Sequence, residues 1–153
     1  MSEETAIEAI TASGLAFVLT RHGQVASLAE AAAARGVDAA DIIKTLVIRR
    51  GDDDFVFVLV PGDRSISWPK LRNVLGVSRL SMPDKEVARQ VTGYERGTIT
   101  PFGSTNAWPV IADERVAGRT VSIGAGGHGV AFTVDGSDLI AALGAIPADV
   151  TIS

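Results

Sequence analysis

Residues 42–60 read IIKTLVIRRGDDDFVFVLV, two β-branched and aromatic runs on either side of an acidic turn. No other stretch constrains the fold as strongly. Two such runs joined by so short a polar link predict a strand pair over 42–50 and 54–60. One residue does not fit the pattern. Lys44 sits inside the first apolar run, and a buried ammonium is costly unless it is paired or employed.

The flanking sequence supplies helices. Residues 3–12 suit a first helix ending at Gly14, and LAFVLT (15–20) suits a strand. Ser27 is placed to cap a helix through Arg35, with Glu30 completing a capping box and Gly36 following the end. Asp38 is placed to cap a short turn ahead of Lys44. Ser67 precedes a helix bearing Leu71, Val74 and Leu75 and stopped by Gly76. VSRLS (77–81) reads as a short strand, and Pro83 as the first turn of another helix. Strands are expected at about 108–112, 119–124 and 130–134, then a helix from Gly136 and Ser137 through Leu143. Helices and strands alternate with local β pairs. The expected fold class is therefore α/β or α+β, a mixed sheet flanked by helices, in one domain spanning 1–153.

Composition excludes several kinds of function. There is no cysteine, hence no disulfide, thiol nucleophile or Cys-ligated zinc, and two histidines do not make a His-rich metal site. No metal and no cofactor is expected. The apolar runs fall far short of the roughly 20 residues of a membrane span. The acidic start lacks the apolar segment of a signal peptide, so a cytoplasmic protein is expected. Net charge is −4, which does not advertise a DNA-binding protein. The charge is uneven, however. Residues 44–96 hold ten basic and seven acidic side chains, whereas the segments on either side are net acidic. A solvated surface would look like this, and so would a modest phosphate-contacting face.

Two glycine-rich segments remain. TGYERGTITPFG (92–103) contains Gly97-Thr98-Ile99-Thr100-Pro101, a stiff loop able to aim backbone N–H groups into a pocket. GAGGHGV (124–130) makes a concave wall of main chain. It is no Walker loop, because no Gly-Lys-Ser/Thr follows. It is no dinucleotide fingerprint either, because AFTV after it is a strand and not a helix. Taken singly, each segment reads better as a structural loop or turn than as a ligand site.

IIKTLVI with Lys44-Thr45, then TGYERGTITPFG, then GAGGHGV before a last strand and helix, taken in this order, resemble the YbaK/prolyl-tRNA-editing family of aminoacyl-tRNA deacylases. The resemblance runs from about residue 12 to 150. It implies a mixed, partly barrel-like sheet flanked by helices. It also implies hydrolysis of the ester joining a wrongly attached small amino acid to the terminal adenosine of tRNA(Pro) or a related tRNA. The partners implied are the mischarged acceptor end and an aminoacyl-tRNA synthetase. On this resemblance Lys44, Gly97 and Thr98 form the catalytic group. Lys44 would hold the ester end, and the Gly97–Pro101 amides would orient water or the oxyanion. Thr45, His22, Ile99, Pro101, Phe102, Gly126, Gly127 and His128 would line the substrate site. Some members carry a carboxylate two residues past the last glycine of the wall, where this chain has Ala131. That departure leaves amino-acid specificity open.

Residue readings set beside the resemblance are plainer. Thr45 in a regular strand points away from Lys44 and would serve as packing. His22 suits a surface loop, and Trp68 and Trp108 suit the core. Asp52-Asp53-Asp54 is a solvated hairpin tip, and ADERVAG (112–118) is a turn. Two other functions fit the sequence. One is a tRNA- or partner-binding module that has lost turnover. The other is a small-molecule binder using the glycine wall.

Overall fold

The computed structural model describes residues 3–23 and 25–153. Among these residues five α-helices are formed by Glu3–Ser13 (α1), Leu28–Arg35 (α2), Trp68–Leu75 (α3), Lys85–Thr92 (α4) and Gly136–Leu143 (α5). Nine strands are formed by Val18–Arg21 (β1), Ile42–Gly51 (β2), Asp54–Pro61 (β3), Ser65–Ile66 (β4), Val110–Asp113 (β5), Thr120–Gly124 (β6), Val130–Asp135 (β7), Ile146–Ala148 (β8) and Thr151–Ile152 (β9).

Seven strands make one mixed sheet in the order β1-β7-β6-β2-β3-β5-β8, and β4 and β9 pair separately. The β2–β3 hairpin lies at its centre, with Lys44 opposite Val60 and Thr45 opposite Leu59. Both faces of the hairpin are covered. Ile43, Val47, Phe57 and Leu59 join the larger core with Ala6 and Ile10 of α1, Tyr94, Phe102 and Phe132. Ile48, Val56, Val58 and Val60 join a smaller core with Leu71 of α3, Ile111 and Val150. This explains why 55–60 is apolar without alternation: the strand is buried on both sides. Each fully buried Phe or Leu there contributes about 2 kcal/mol of apolar burial.

The helix punctuation follows local chemistry. The Ser27 hydroxyl accepts the Glu30 amide at 3.1 Å, and the Glu30 carboxylate accepts the Ala26 amide at 2.6 Å. That returning bond lands one residue earlier than a standard capping box. Gly36, Gly76, Gly93 and Gly144 each end a helix in the left-handed conformation.

Several boundaries differ from those expected. The first strand begins only at Val18, because Leu15 turns into the core behind α1. Residues 77–81 form no strand; they touch the sheet through one bridge, Arg49 to Ser81. Pro83 precedes α4 instead of opening it, and Asp84 caps it by accepting the Val87 amide at 2.9 Å. Three short strands, β4, β8 and β9, were not foreseen. Asp113, read as part of a turn, is fully buried. It accepts from Arg115, from the Val150 amide at 3.2 Å and from the Thr151 hydroxyl at 2.8 Å, fastening β9 to β5. Trp68 packs against the smaller core, and Trp108 meets Phe55 edge-on.

Candidate active site

The site begins with an incomplete ladder. One edge of β2 pairs with β3 over nearly its whole length. The other edge pairs with β6 only at Ile42 and Ile43. Six residues further on, Arg49 exchanges two main-chain hydrogen bonds with Ser81, at 2.8 and 3.1 Å. Main-chain groups alternate between strand edges. Thr45 and Val47 therefore point N–H and C=O to the same side as Arg49, into a gap where no strand meets them. A cavity of ≈ 520 Å³ occupies the gap. Residues 42–47 line one wall; Met82, Pro83, Ala88, Arg96, Gly97 and Ile99 line the other, and Arg35 and Gly124 complete it.

Lys44 lies on the smaller-core face of β2. Its Nζ donates to the main-chain carbonyl of Arg64 at 2.8 Å. This is how the apolar run tolerates a lysine: the ammonium is half-buried and has a fixed acceptor. Arg64 is fixed in turn, its Nε donating to the Thr151 hydroxyl at 2.7 Å. Thr45 faces the opposite way, as the strand period requires, and its hydroxyl oxygen is buried with no partner among the described residues.

The Gly97 loop is a tight turn. The Thr98 amide and hydroxyl both donate to the Glu95 carbonyl, at 2.9 and 2.8 Å. Gly97 at φ +93° occupies a conformation that side chains rarely adopt. The amides of Gly97 and Ile99 donate to no protein group among the described residues, and both residues line the cavity. Both hydrogens of Thr98 are already committed, so its part is to hold the turn. The Thr98 carbonyl accepts the Gly126 amide at 3.0 Å, which staples the two glycine segments together. Gly124 lets that happen, since a Cβ there would lie 3.3 Å from the Ile99 carbonyl oxygen.

The residues singled out in the sequence are therefore divided among neighbouring cavities. Lys44, Thr45, Gly97 and Ile99 share the first. Thr98, Gly126, Gly127 and His128 line a second, of ≈ 610 Å³, with Tyr94 and Glu95. There His128 Nε2 lies 3.4 Å from Glu95 Oε2. His22 and His128 flank a third, smaller one. Phe102 is in the core, its ring edge-on to Phe132 and its carbonyl accepting the Tyr94 hydroxyl at 2.7 Å. Pro101, half-buried beside it, fixes the chain there. Neither lines the cavity at Lys44.

Two residues were not singled out as site residues. Arg35, at the last turn of α2, reaches the cavity wall; its Nε donates to His22 Nε2 and its Nη1 to the Ser122 hydroxyl, both at 3.4 Å. Burial pulls its guanidinium below the usual arginine range. The other ring nitrogen, His22 Nδ1, lies 2.8 Å from the Gly23 carbonyl oxygen. Arg96, on the turn, donates to the Pro83 carbonyl at 3.1 Å. Among the described residues Lys44, Arg35 and Arg96 are the charged ones lining the cavity, and no carboxylate lines it. A lone arginine closing an alanine-rich helix was the signal available for Arg35. Among the described residues no group of three or more His, Asp or Glu side chains is placed to hold a metal ion, and no helix is long and apolar enough to cross a membrane.

The site is thus a gap beside the central strand of a mixed sheet, lined by three cationic residues and walled by a glycine turn whose amides are free among the described residues. The particular family is shown by comparison: residues 22–142 match the aminoacyl-tRNA editing domain, and the chain belongs to that family. A solved structure reported as a candidate trans-editing enzyme for prolyl tRNA synthetase is similar over 99% of this chain and 97% of that one, with a TM-score of 0.88 and 26% identity. The hypothetical protein APE2540 is similar over 97% of this chain and 99% of its own, also with a TM-score of 0.88 and 26% identity. The proline–tRNA ligase of Heliobacterium modesticaldum is 40% identical over 87 residues, 57% of this chain and 15% of the ligase. That of Bacillus cytotoxicus is 34% identical over 91 residues, 60% of this chain and 16% of the ligase. The chain thus spans about one-sixth of the length of these ligases.

Proposed function

We propose that this chain, as one editing unit over 1–153, is an aminoacyl-tRNA deacylase that removes a small amino acid wrongly attached to tRNA(Pro) or a related tRNA. The observation that carries the proposal is the meeting of Lys44 with the free Gly97 and Ile99 amides across one cavity. The ester of a mischarged acceptor end enters the gap beside β2. Lys44, held by the Arg64 carbonyl, positions the terminal ribose. A water molecule attacks the ester carbonyl carbon, and the negative charge that develops on its oxygen meets preorganised amide donors. The tetrahedral intermediate collapses by breaking the bond to the ribose oxygen, which takes up a proton, releasing the free amino acid and uncharged tRNA. An activated ester needs positioning and electrostatic help more than a strong nucleophile. Thr45, with its unpartnered hydroxyl on the cavity wall, is placed to read the amino-acid side chain. A synthetase is the natural partner, and the cytoplasm the natural compartment, for such an activity.

The test is a panel of tRNA(Pro) charged with alanine, cysteine or serine, with alanyl and seryl esters of other tRNAs. One ester is expected to be cleared. Lys44→Ala is expected to lower kcat/KM by about 100-fold or more while the circular-dichroism melting curve is unchanged. Full activity in that variant would remove Lys44 from the mechanism. The absence of a cavity carboxylate to hold the substrate's ammonium favours a second reading, a tRNA-binding module. Binding of tRNA with no ester cleared anywhere in the panel would establish that one instead.

A further inference from the structure

Among the described residues, six of the fourteen lysines and arginines of this chain have a carboxylate partner. Arg21, Arg49, Arg50, Lys70, Arg115 and Arg119 each have a carboxylate within 4.0 Å. None of them lines the cavity at Lys44. The three that do, Arg35, Lys44 and Arg96, have no carboxylate partner among the described residues; their acceptors are His22 and Ser122, the Arg64 carbonyl, and the Pro83 carbonyl. Arg35 is the most telling. A guanidinium has five N–H donors, and this one is half-buried with two contacts, each as long as 3.4 Å. Desolvated charge with most of its donors unspent calls for an anion, and a planar fork suits the oxygens of a phosphate.

We propose that Arg35 and Arg96, together with Lys44, form a phosphate subsite that takes the 5′-phosphate of the terminal adenosine of the acceptor end. This rests on the deacylase reading and adds to it the group by which the nucleic acid is held. The phosphate sits between α2 and the 95–98 turn, which sets the ribose and its ester against the Gly97 and Ile99 amides. The aminoacyl part itself carries no negative charge, so the nucleotide supplies the partner for the three cations. Arg35 and Arg96 are binding residues for the nucleotide and take no part in the bond cleavage.

The experiment compares the dissociation constants of adenosine 5′-monophosphate, adenosine and inorganic phosphate, by calorimetric titration of the full chain. The variants are Arg35→Gln, Arg96→Gln and, as a charge control outside the cavity, Lys85→Gln. The monophosphate is expected to bind the wild type roughly tenfold more tightly than adenosine. That advantage should shrink to about threefold or less in Arg35→Gln and in Arg96→Gln, and persist in Lys85→Gln. Arg96 is exposed, so its variant folds even where Arg35→Gln does not. No advantage of the monophosphate in the wild type, or an advantage that survives in Arg96→Gln, overturns the subsite. Inorganic phosphate binding as tightly as the monophosphate overturns its assignment to a nucleotide. The deacylation panel is read separately. A phosphate advantage with no ester cleared sinks the deacylase reading and leaves the subsite standing; cleared ester with no phosphate advantage does the reverse.

Discussion

Tyr94 is the only tyrosine in the chain, so its titration can be followed alone. It is 1% exposed and donates to the Phe102 carbonyl. Burial pushes its hydroxyl up to about 12. In the unfolded chain a tyrosine ionises near 10. Between those values the unfolded state loses its proton first, so folding stability falls as pH rises from about 10 to about 12. The expected result is a downward slope of unfolding free energy with pH in that window. Tyr94→Phe should abolish the slope, at a cost of about 1 kcal/mol at neutral pH for the orphaned carbonyl. Urea titrations at several pH values measure both. At this scale the sequence was informative about Lys44, whose oddity in an apolar run was visible at once. It was silent about what the lysine bonds to, since a main-chain carbonyl twenty residues away has no signature of its own. Arg35 was equally hidden: nothing local says that the end of an alanine-rich helix turns its guanidinium onto a strand gap.

At the scale of elements, the two glycine segments look alike in sequence and differ in structure. An alanine at Gly97 would meet nothing nearer than His128 Cε1 at 4.0 Å, but φ is +93°. Gly97→Ala should therefore cost about 1–2 kcal/mol and leave a folded protein, while turning its amide away from the cavity and lowering deacylation far more than stability. At Gly129 φ is +72° and a Cβ would run into the His22 carbonyl oxygen. His22 and Gly129 share a 2.8 Å hydrogen bond that starts the β1–β7 pairing. Gly129→Ala should cost about 3 kcal/mol or more, seen as an earlier urea midpoint with the deacylation rate per folded molecule nearly kept. The reverse ranking would mean that the roles of the two loops are exchanged. Helices were legible because Ser27, Ser67 and their closing glycines announce them. The strand expected at 77–81 failed because its β-branched content is low and a single bridge is all the sheet edge offers it. The strands β4, β8 and β9 escaped because two- and three-residue strands carry no period and exist only through tertiary pairing.

For the whole molecule, the uneven charge was legible and its meaning only half so. The basic middle segment contains Arg49, Arg50 and Lys70, all of which the fold pairs with carboxylates. Only Lys44 and Arg96 from that segment reach the cavity, and the third cation, Arg35, comes from the acidic stretch before it. Few cations at the cavity of a protein of net charge −4 imply a shallow salt dependence. Each contact to single-stranded phosphate contributes about −0.7 to the log–log slope. The three cavity cations meet one phosphate, so acceptor-end binding should show a slope of roughly −0.7, measurable by fluorescence anisotropy across a salt series. A slope of about −3 or steeper would mean that the half-buried Arg72 and the exposed Arg79, Lys85 and Arg89 are enlisted as well.

The anchor of Lys44 has one more property. Every residue type presents the same carbonyl, so no substitution at position 64 can delete the acceptor that holds the ammonium. Mutation can reach it only by reshaping the turn that carries it, or by cutting the tie from Arg64 to Thr151 at the far end of the chain. Arg64 supplies the guanidinium of that tie and Thr151 its acceptor, so a change at either position loosens the turn while leaving the carbonyl itself in place. A survey of neutral variation in this protein would find positions 64 and 151 constrained together, although only one of them adjoins the lysine.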